Sequence, residues 1–201
     1  MARPRKAARA WSRRHKGNTG QYALTVADAE RLCDSIGDTQ DEALIRLSIA
    51  TGMRREDAVS VRAADIDLER GTVTYSEKKK KSRTRIVHIA GSHKLLSSLE
   101  KQLRLIPRGS VWLFPSKMGA KAHMSSRTAY NRLQYWLKRN RLESRPFHAL
   151  RSTCIKIAQS RGWTPEQVSE LTGDTIRVIQ EHYSRPSDDE MAKVARERPI
   201  L

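Results

Sequence analysis

Only two cysteines, Cys33 and Cys154, occur in 201 residues, with no CxxC and no metal-ligand spacing. Both sit in apolar helical patterns, where a free thiol behaves as a small hydrophobe, so no disulfide is expected. No apolar run approaches the roughly 20 residues that span a bilayer, and no apolar segment follows the basic N-terminus as in a secretion signal. The phosphate-cradling patterns GxxxxGK and GxGxxG are missing, which argues against nucleotide hydrolysis, and so is the GxSxG of a hydrolase elbow. His15, His88, His93, His123, His148 and His182 are scattered without ligand spacing, so no metal site and no cofactor are expected. These absences point to a cytoplasmic protein without a membrane partner.

Acidic residues are the other shortage. Twenty-two Asp and Glu face 39 Lys and Arg, for a formal net charge of +17. A field of that sign attracts polyanions, and the clustering of the basic residues favours nucleic acid over simple solubility. The opening MARPRKAARAWSRRHKGNTG holds seven Lys or Arg, Arg13 and Arg14 among them, and no acid. It has no sustained apolar stripe. Residues 1–21 are therefore expected to form a flexible basic arm along DNA, the alternative being a solubilising tail.

The folded part is expected from Tyr22. Thr25 caps a helix whose apolar face is Val26, Ala29, Leu32, Cys33 and Ile36. Glu42 to Ala50 forms a second, stopped by Gly52, and another begins near Arg55. The period then changes: Ile66 and Leu68 alternate with acids, Glu69-Arg70-Gly71 turns, and Thr72 to Ser76 is β-prone. With Arg85 to Ile89 this gives a small antiparallel sheet with the lysine run at its hairpin tip. Leu95, Leu96, Leu99 and Leu103 mark the next helix, and Trp112 to Phe114 an apolar plug. Ser125 or Ser126 caps a helix through Leu137. His148 to Ser160, Pro165 to Leu171 and Ile176 to Tyr183 close the domain. The expected fold is mostly α with a small antiparallel β-sheet.

Four groups of residues carry chemical potential. Arg54 follows a helix-ending glycine, lysines 78 to 81 sit at a hairpin tip, His148 and Arg151 share a helix face at i and i+3, and Tyr183 ends a helix. Singly, each is more often a surface ion pair, a solvated loop or a packed aromatic. Together they suit phosphodiester transfer. Guanidinium forks match phosphate oxygens and never deprotonate, a lysine can protonate the leaving 5′-oxygen, and a histidine can take the nucleophile's proton. A tyrosine hydroxyl can then attack phosphorus and hold the strand covalently, which conserves bond energy and needs neither metal nor ATP.

In this order the segments resemble those of the tyrosine recombinase (phage integrase) family over about residues 22 to 186. ATGMRREDAVSVRAADID is similar to its first arginine box, EKKKKSRTRIVHI to its lysine hairpin, FHALRSTC to its His-x-x-Arg box, and LTGDTIRVIQEHYS to its tyrosine box. The resemblance implies Arg54 and Arg151 as clamp residues, Asp57 as a structural acid, Lys80 as the catalytic lysine with Lys79 and Lys81 as contenders, His148 as proton carrier and Tyr183 as nucleophile. It also implies the family's DNA breaking-rejoining fold, a double-stranded DNA partner, two protomers per site and four in synapsis, with 187–201 as a protomer-exchange tail. A prokaryotic, viral or plasmid-borne origin and a place at the nucleoid follow from it.

Two features depart from that pattern. Only about twenty residues, seven of them Lys or Arg, precede the catalytic part, where members usually carry a separate DNA-binding domain; short members similar to fimbrial inversion recombinases do not. Asp174 stands nine residues before Tyr183, where His or Trp usually supports the phosphate. An ionised carboxylate there cannot donate, so it is expected either to turn toward Arg177 or a backbone amide, or to cost a modest part of the activity. Arg127, Arg132 and Lys138, on the helix from Ser125 to Asn140, are candidates for DNA contact. The competing reading takes TPEQVSELTGDTIRVIQEHY as a helix-turn-helix of a non-catalytic DNA-binding protein. An RNA-binding protein fits the charge alone.

Overall fold

The structure is a computed structural model that describes residues 19–78, 83–183 and 188–197. Arg13, Arg14, Lys79, Lys80 and Lys81 lie outside them, as do residues 184–187 and 198–201.

A short 3-10 turn, Thr19–Tyr22, leads into α1 (Val26–Asp34), whose N-cap Thr25 accepts a hydrogen bond from the Asp28 amide as its sequence requires. Helix α2 (Thr39–Thr51) starts earlier than the apolar stripe suggests, because Asp38 accepts from the Asp41 amide and caps it. It ends on Gly52 at φ 63°, a left-handed turn that a side chain would resist. Three residues later the chain begins α3 (Arg55–Val59).

The sheet is β1 (Ile66–Asp67), β2 (Thr72–Glu77) and β3 (Arg83–His88), antiparallel in that order. Register pairs Tyr75 with Arg85 and Glu77 with Arg83, so the lysine run is the connection between β2 and β3. Val73, Tyr75 and Glu77 alternate onto the buried face of β2, and Arg85 and Val87 onto that of β3.

Helix α4 (His93–Arg104) packs on α2, as its leucine spacing implies. A second hairpin, β4 (Pro115–Ser116) with β5 (Gly119–His123), follows the Trp112–Phe114 plug. Sequence reading gave no strand there, since Gly-Ala-Lys-Ala-His has no β-branched residue. Helix α5 (Ser126–Arg139) is capped by Ser125, and α6 (His148–Ser160) runs through the centre. Helix α7 (Pro165–Thr172) carries a complete capping box between Thr164 and Gln167 and ends on Gly173 at φ 77°; α8 (Ile176–Tyr183) follows. The tail contains a helix of its own, α9 (Asp188–Glu197).

One large core joins α1 to α6 with the sheet. A smaller one gathers Ile155 and Ala158 of α6, Val168 of α7 and Ile179 and Tyr183 of α8. The small core matters most here, because it fixes the height and tilt of α8 against α6. No helix among the described residues is long and apolar enough to cross a membrane.

Candidate active site

Two helix ends of the same construction deliver opposite charges to one point. Gly52 closes α2 and, two residues on, Arg54 occupies the N-cap of α3 with an extended backbone. Gly173 closes α7 and the next residue is Asp174. Both glycines are also pressed against neighbours. A Cβ on Gly52 would lie 2.9 Å from Thr172 Cγ2, and one on Gly173 only 2.5 Å from Glu77 Oε1. Neither the left-handed backbone nor the space admits a side chain.

Arg151 reaches the same point from α6. It is 1% exposed, among the largest fully buried side chains of the molecule. A buried guanidinium is tolerated only when its donors are met. Its Nη1 donates to the Gly52 carbonyl at 2.5 Å, while Nε donates to Asp174 Oδ2 at 3.0 Å and Nη2 pairs with Oδ1 at 2.7 Å. The Nε contact is a hydrogen bond and the Nη2 contact an ion pair without hydrogen-bond geometry, both on the guanidinium edge that a phosphate also uses. Arg54 shares the same carboxylate, with Nη2 3.3 Å from Asp174 Oδ1, and gives Nη1 to Glu77 Oε1 at 3.0 Å.

The expected orientation of Asp174 is therefore corrected. It does not hold Arg177, which pairs with Glu181 at 2.7 Å on the outside of α8. Its own amide donates to Thr172 Oγ1 and its carbonyl accepts from Ser169 at 2.7 Å, which fixes the backbone and aims the carboxylate at the two arginines.

Asp57 stands where a structural acid was expected. Its Oδ1 accepts from the Lys78 amide at 3.0 Å, tying the root of the lysine connection to the helix that starts at Arg54. Burial pushes its carboxyl up, opposed by that amide and by the Arg54 charge. Glu77 and Arg85 were not anticipated. Both are buried, and both lie where the period-two alternation of Val73–Tyr75 and of Val87 would place an inward residue. That alternation was the available signal. Charge masks it, because Glu and Arg on short strands are ordinarily solvated.

At the other side of the site, Tyr183 is a core residue and a polar one together. Its ring packs in the small core and is 2% exposed, while its hydroxyl lies 3.0 Å from His148 Nε2. His148 opens α6 one turn before Arg151, so a single helix carries the tyrosine's partner and the clamp residue.

The candidate DNA-contact residues divide. Arg127 and Lys138 are exposed on α5. Arg132, on the same helix, turns inward instead, 2.6 Å from the buried Asp41 and 3.5 Å from Asp38, because Asp41 needs a counterion. A cavity of about 550 Å³ lies elsewhere, lined by both cysteines and Trp163 and by none of Arg54, His148, Arg151 or Tyr183.

The chain has relatives among known proteins. A model of the phage integrase family matches residues 23–190. The chain belongs to the phage integrase family. The fold agrees. A crystal structure of XerA recombinase superposes with a TM-score of 0.77 at 20% identity, over 89% of this chain and 66% of that one. XerH site-specific recombinase bound to its difH substrate gives 0.67 at 21%, over 86% and 53%. The integrase of mycobacterium phage Brujita gives 0.62 at 20%, over 89% and 58%. This integrase-family chain thus spans about half to two thirds of the length of those proteins. No curated protein matches it in sequence.

Proposed function

We propose that the chain is the catalytic part of a site-specific recombinase that breaks and rejoins double-stranded DNA through a tyrosine ester. The observation that carries this is the Tyr183 hydroxyl 3.0 Å from His148 Nε2, on the helix that also supplies the buried Arg151. His148 accepts the phenolic proton as Tyr183 Oη attacks phosphorus. The bond to the 5′-oxygen breaks, leaving a 3′-phosphotyrosyl link, and the 5′-oxygen takes a proton from the lysine hairpin, Lys80 in the sequence reading. Rejoining reverses each step with a new 5′-hydroxyl. Arg54 and Arg151 offset the charge that builds on the non-bridging oxygens.

The relatives solved with DNA support a duplex DNA partner, as does the charge of +17. The basic arm at 1–21, the catalytic domain at 22–186, the exchange role of 187–201, the dimer on one site and the tetramer in synapsis all belong to this proposal. So does a prokaryotic or mobile-element setting. The helix-turn-helix reading loses ground on one point. The would-be recognition helix α8 buries Ile179 and Tyr183, and its exposed Arg177 is tied to Glu181.

The test is a pool of nicked duplexes of randomised sequence, from which denaturant-resistant protein–DNA adducts are collected. Wild type yields adducts and Tyr183→Phe yields none. Adducts that persist in Tyr183→Phe overturn the nucleophile, and a wild-type protein that binds the pool without any adduct returns the chain to the DNA-binding class.

A further inference from the structure

The two arginines that would grip the phosphate already grip something. Asp174 takes the Nε and Nη2 edge of Arg151 with both of its oxygens, at 3.0 and 2.7 Å, and reaches Arg54 Nη2 at 3.3 Å. The third described direction of Arg151, Nη1, is spent on Gly52 O. Arg54 Nη1 is spent on Glu77. Carboxylate and phosphate oxygens have matching demands on a guanidinium fork, so they compete for one edge. Charge leads the same way. Arg54 and Arg151 face Glu77 and Asp174, and the buried Arg85 and Asp57 beside them also offset one another, so the described charges around the clamp largely cancel.

We propose that Asp174 is a built-in occupant of the phosphate position, a latch that the scissile phosphate must displace before cleavage. This rests on the reading of Arg54 and Arg151 as the phosphate clamp. The backbone of Asp174 is held by Thr172 and Ser169, and Gly173 is packed against Glu77, so release requires only that the short side chain rotate. An occupant of this kind raises specificity. A free anion, or a phosphate on loosely bound DNA, meets a neutral clamp. A phosphate pressed into place by the full DNA interface has the surplus interaction needed to turn the carboxylate out. The aspartate is a positioning residue in this scheme. It holds the clamp in shape without DNA and yields it to the substrate.

The experiment uses the full chain carrying Tyr183→Phe, so that chemistry cannot intervene, with sulfate as the anion probe. Binding is followed by the Nε–H resonances of Arg54 and Arg151. Asp174→Asn binds sulfate at least about tenfold more tightly than its parent, because the parent's apparent affinity is reduced by the fraction of molecules whose clamp is open. In the parent itself, the carboxyl carbon resonance of Asp174 moves with the same midpoint as the Arg151 resonance, which needs no variant at that position. With Tyr183 restored, Asp174→Asn forms adducts faster at subsaturating DNA and gains less at saturation. Equal sulfate affinity in the folded Asp174→Asn protein overturns the proposal, and so does an Asp174 resonance that stays still while the arginines respond. Both results are independent of adduct formation, so they fail or stand apart from the assignment of Tyr183.

Discussion

The clamp and the outer face of α5 handle positive charge in opposite ways. In the clamp every guanidinium is engaged: Arg151 is fully buried on Asp174 and Gly52, and Arg54 lies between Asp174 and Glu77. On α5, Arg127 and Lys138 stand exposed, and only Arg132 is drawn inward, to Asp41. A buried charge must be matched where it stands, whereas an exposed one is screened by solvent and salt. The contrast separates two tasks. Under the proposed function, the exposed cations would raise the local concentration of a polyanion, and the matched pair would be reserved for one phosphate at a fixed geometry.

The comparison breaks most severely at Arg151. Arg151→Ala leaves the half-buried Asp174 beside a single arginine and removes a proposed clamp residue. Chemical denaturation is expected to show a loss of about 3–5 kcal/mol, as for a buried pair broken on one side. Adduct formation should fall by about a hundred- to a thousandfold, as when one transition-state donor is removed. Arg151→Lys keeps the charge but not the fork, and should recover stability better than rate.

Gly173→Ala is the next largest change. The left-handed backbone alone costs about 1–2 kcal/mol in a residue with a Cβ. The added carbon would also displace Glu77, at 2.5 Å, and through it Arg54. Reduced adduct formation together with a lowered melting temperature is the expected outcome; an unchanged rate would show that Glu77 does not position Arg54.

Exposed positions should behave differently. Arg127→Ala and Lys138→Ala are expected to leave stability within about 0.5 kcal/mol. If each meets a phosphate, each should lower the salt slope of DNA binding by about 1. Filter binding across a salt series separates this from a specific base contact, which would change the preferred sequence instead. The smallest effect is expected at Arg177→Ala, whose i,i+4 pair with Glu181 is surface-exposed and screened by solvent, so that chemical denaturation should not distinguish the variant from its parent.

An independent check concerns the thiols. Burial pushes both Cys33 and Cys154 up to about 12, so neither presents thiolate to an alkylating reagent in the native state. Labelling of wild type should follow unfolding, and Arg151→Ala should accelerate it at Cys154, one turn further along α6.

Most of the helices were legible because each carries its own stop and start signals. Thr25, Ser125 and the Thr164–Gln167 box cap where their spacing says, and Gly52 and Gly173 end helices where a left-handed residue is needed. What escaped were elements without such signals: the β4–β5 hairpin, the early start of α2 at Asp38, and α9 in the tail. Within the site, Arg54, His148, Arg151 and Tyr183 could be proposed from order and spacing. The engagement of Arg132 and the burial of Glu77 and Arg85 could not, since they depend on which distant residue shares the space.

By itself the sequence determined the helical punctuation, the excess of positive charge, and four segments whose order implies one chemistry. These are local or compositional properties, written in neighbouring residues. Tertiary structure alone decided what Asp174 does. Counting placed it nine residues before Tyr183, where an ionised carboxylate cannot donate to a phosphate. Only the packing of α7 and α8 against α6 puts its carboxylate on Arg151 and Arg54, residues 23 and 120 positions away in the chain. A buried charge takes its partner from whatever the fold brings within reach, and that partner cannot be read from its neighbours in sequence.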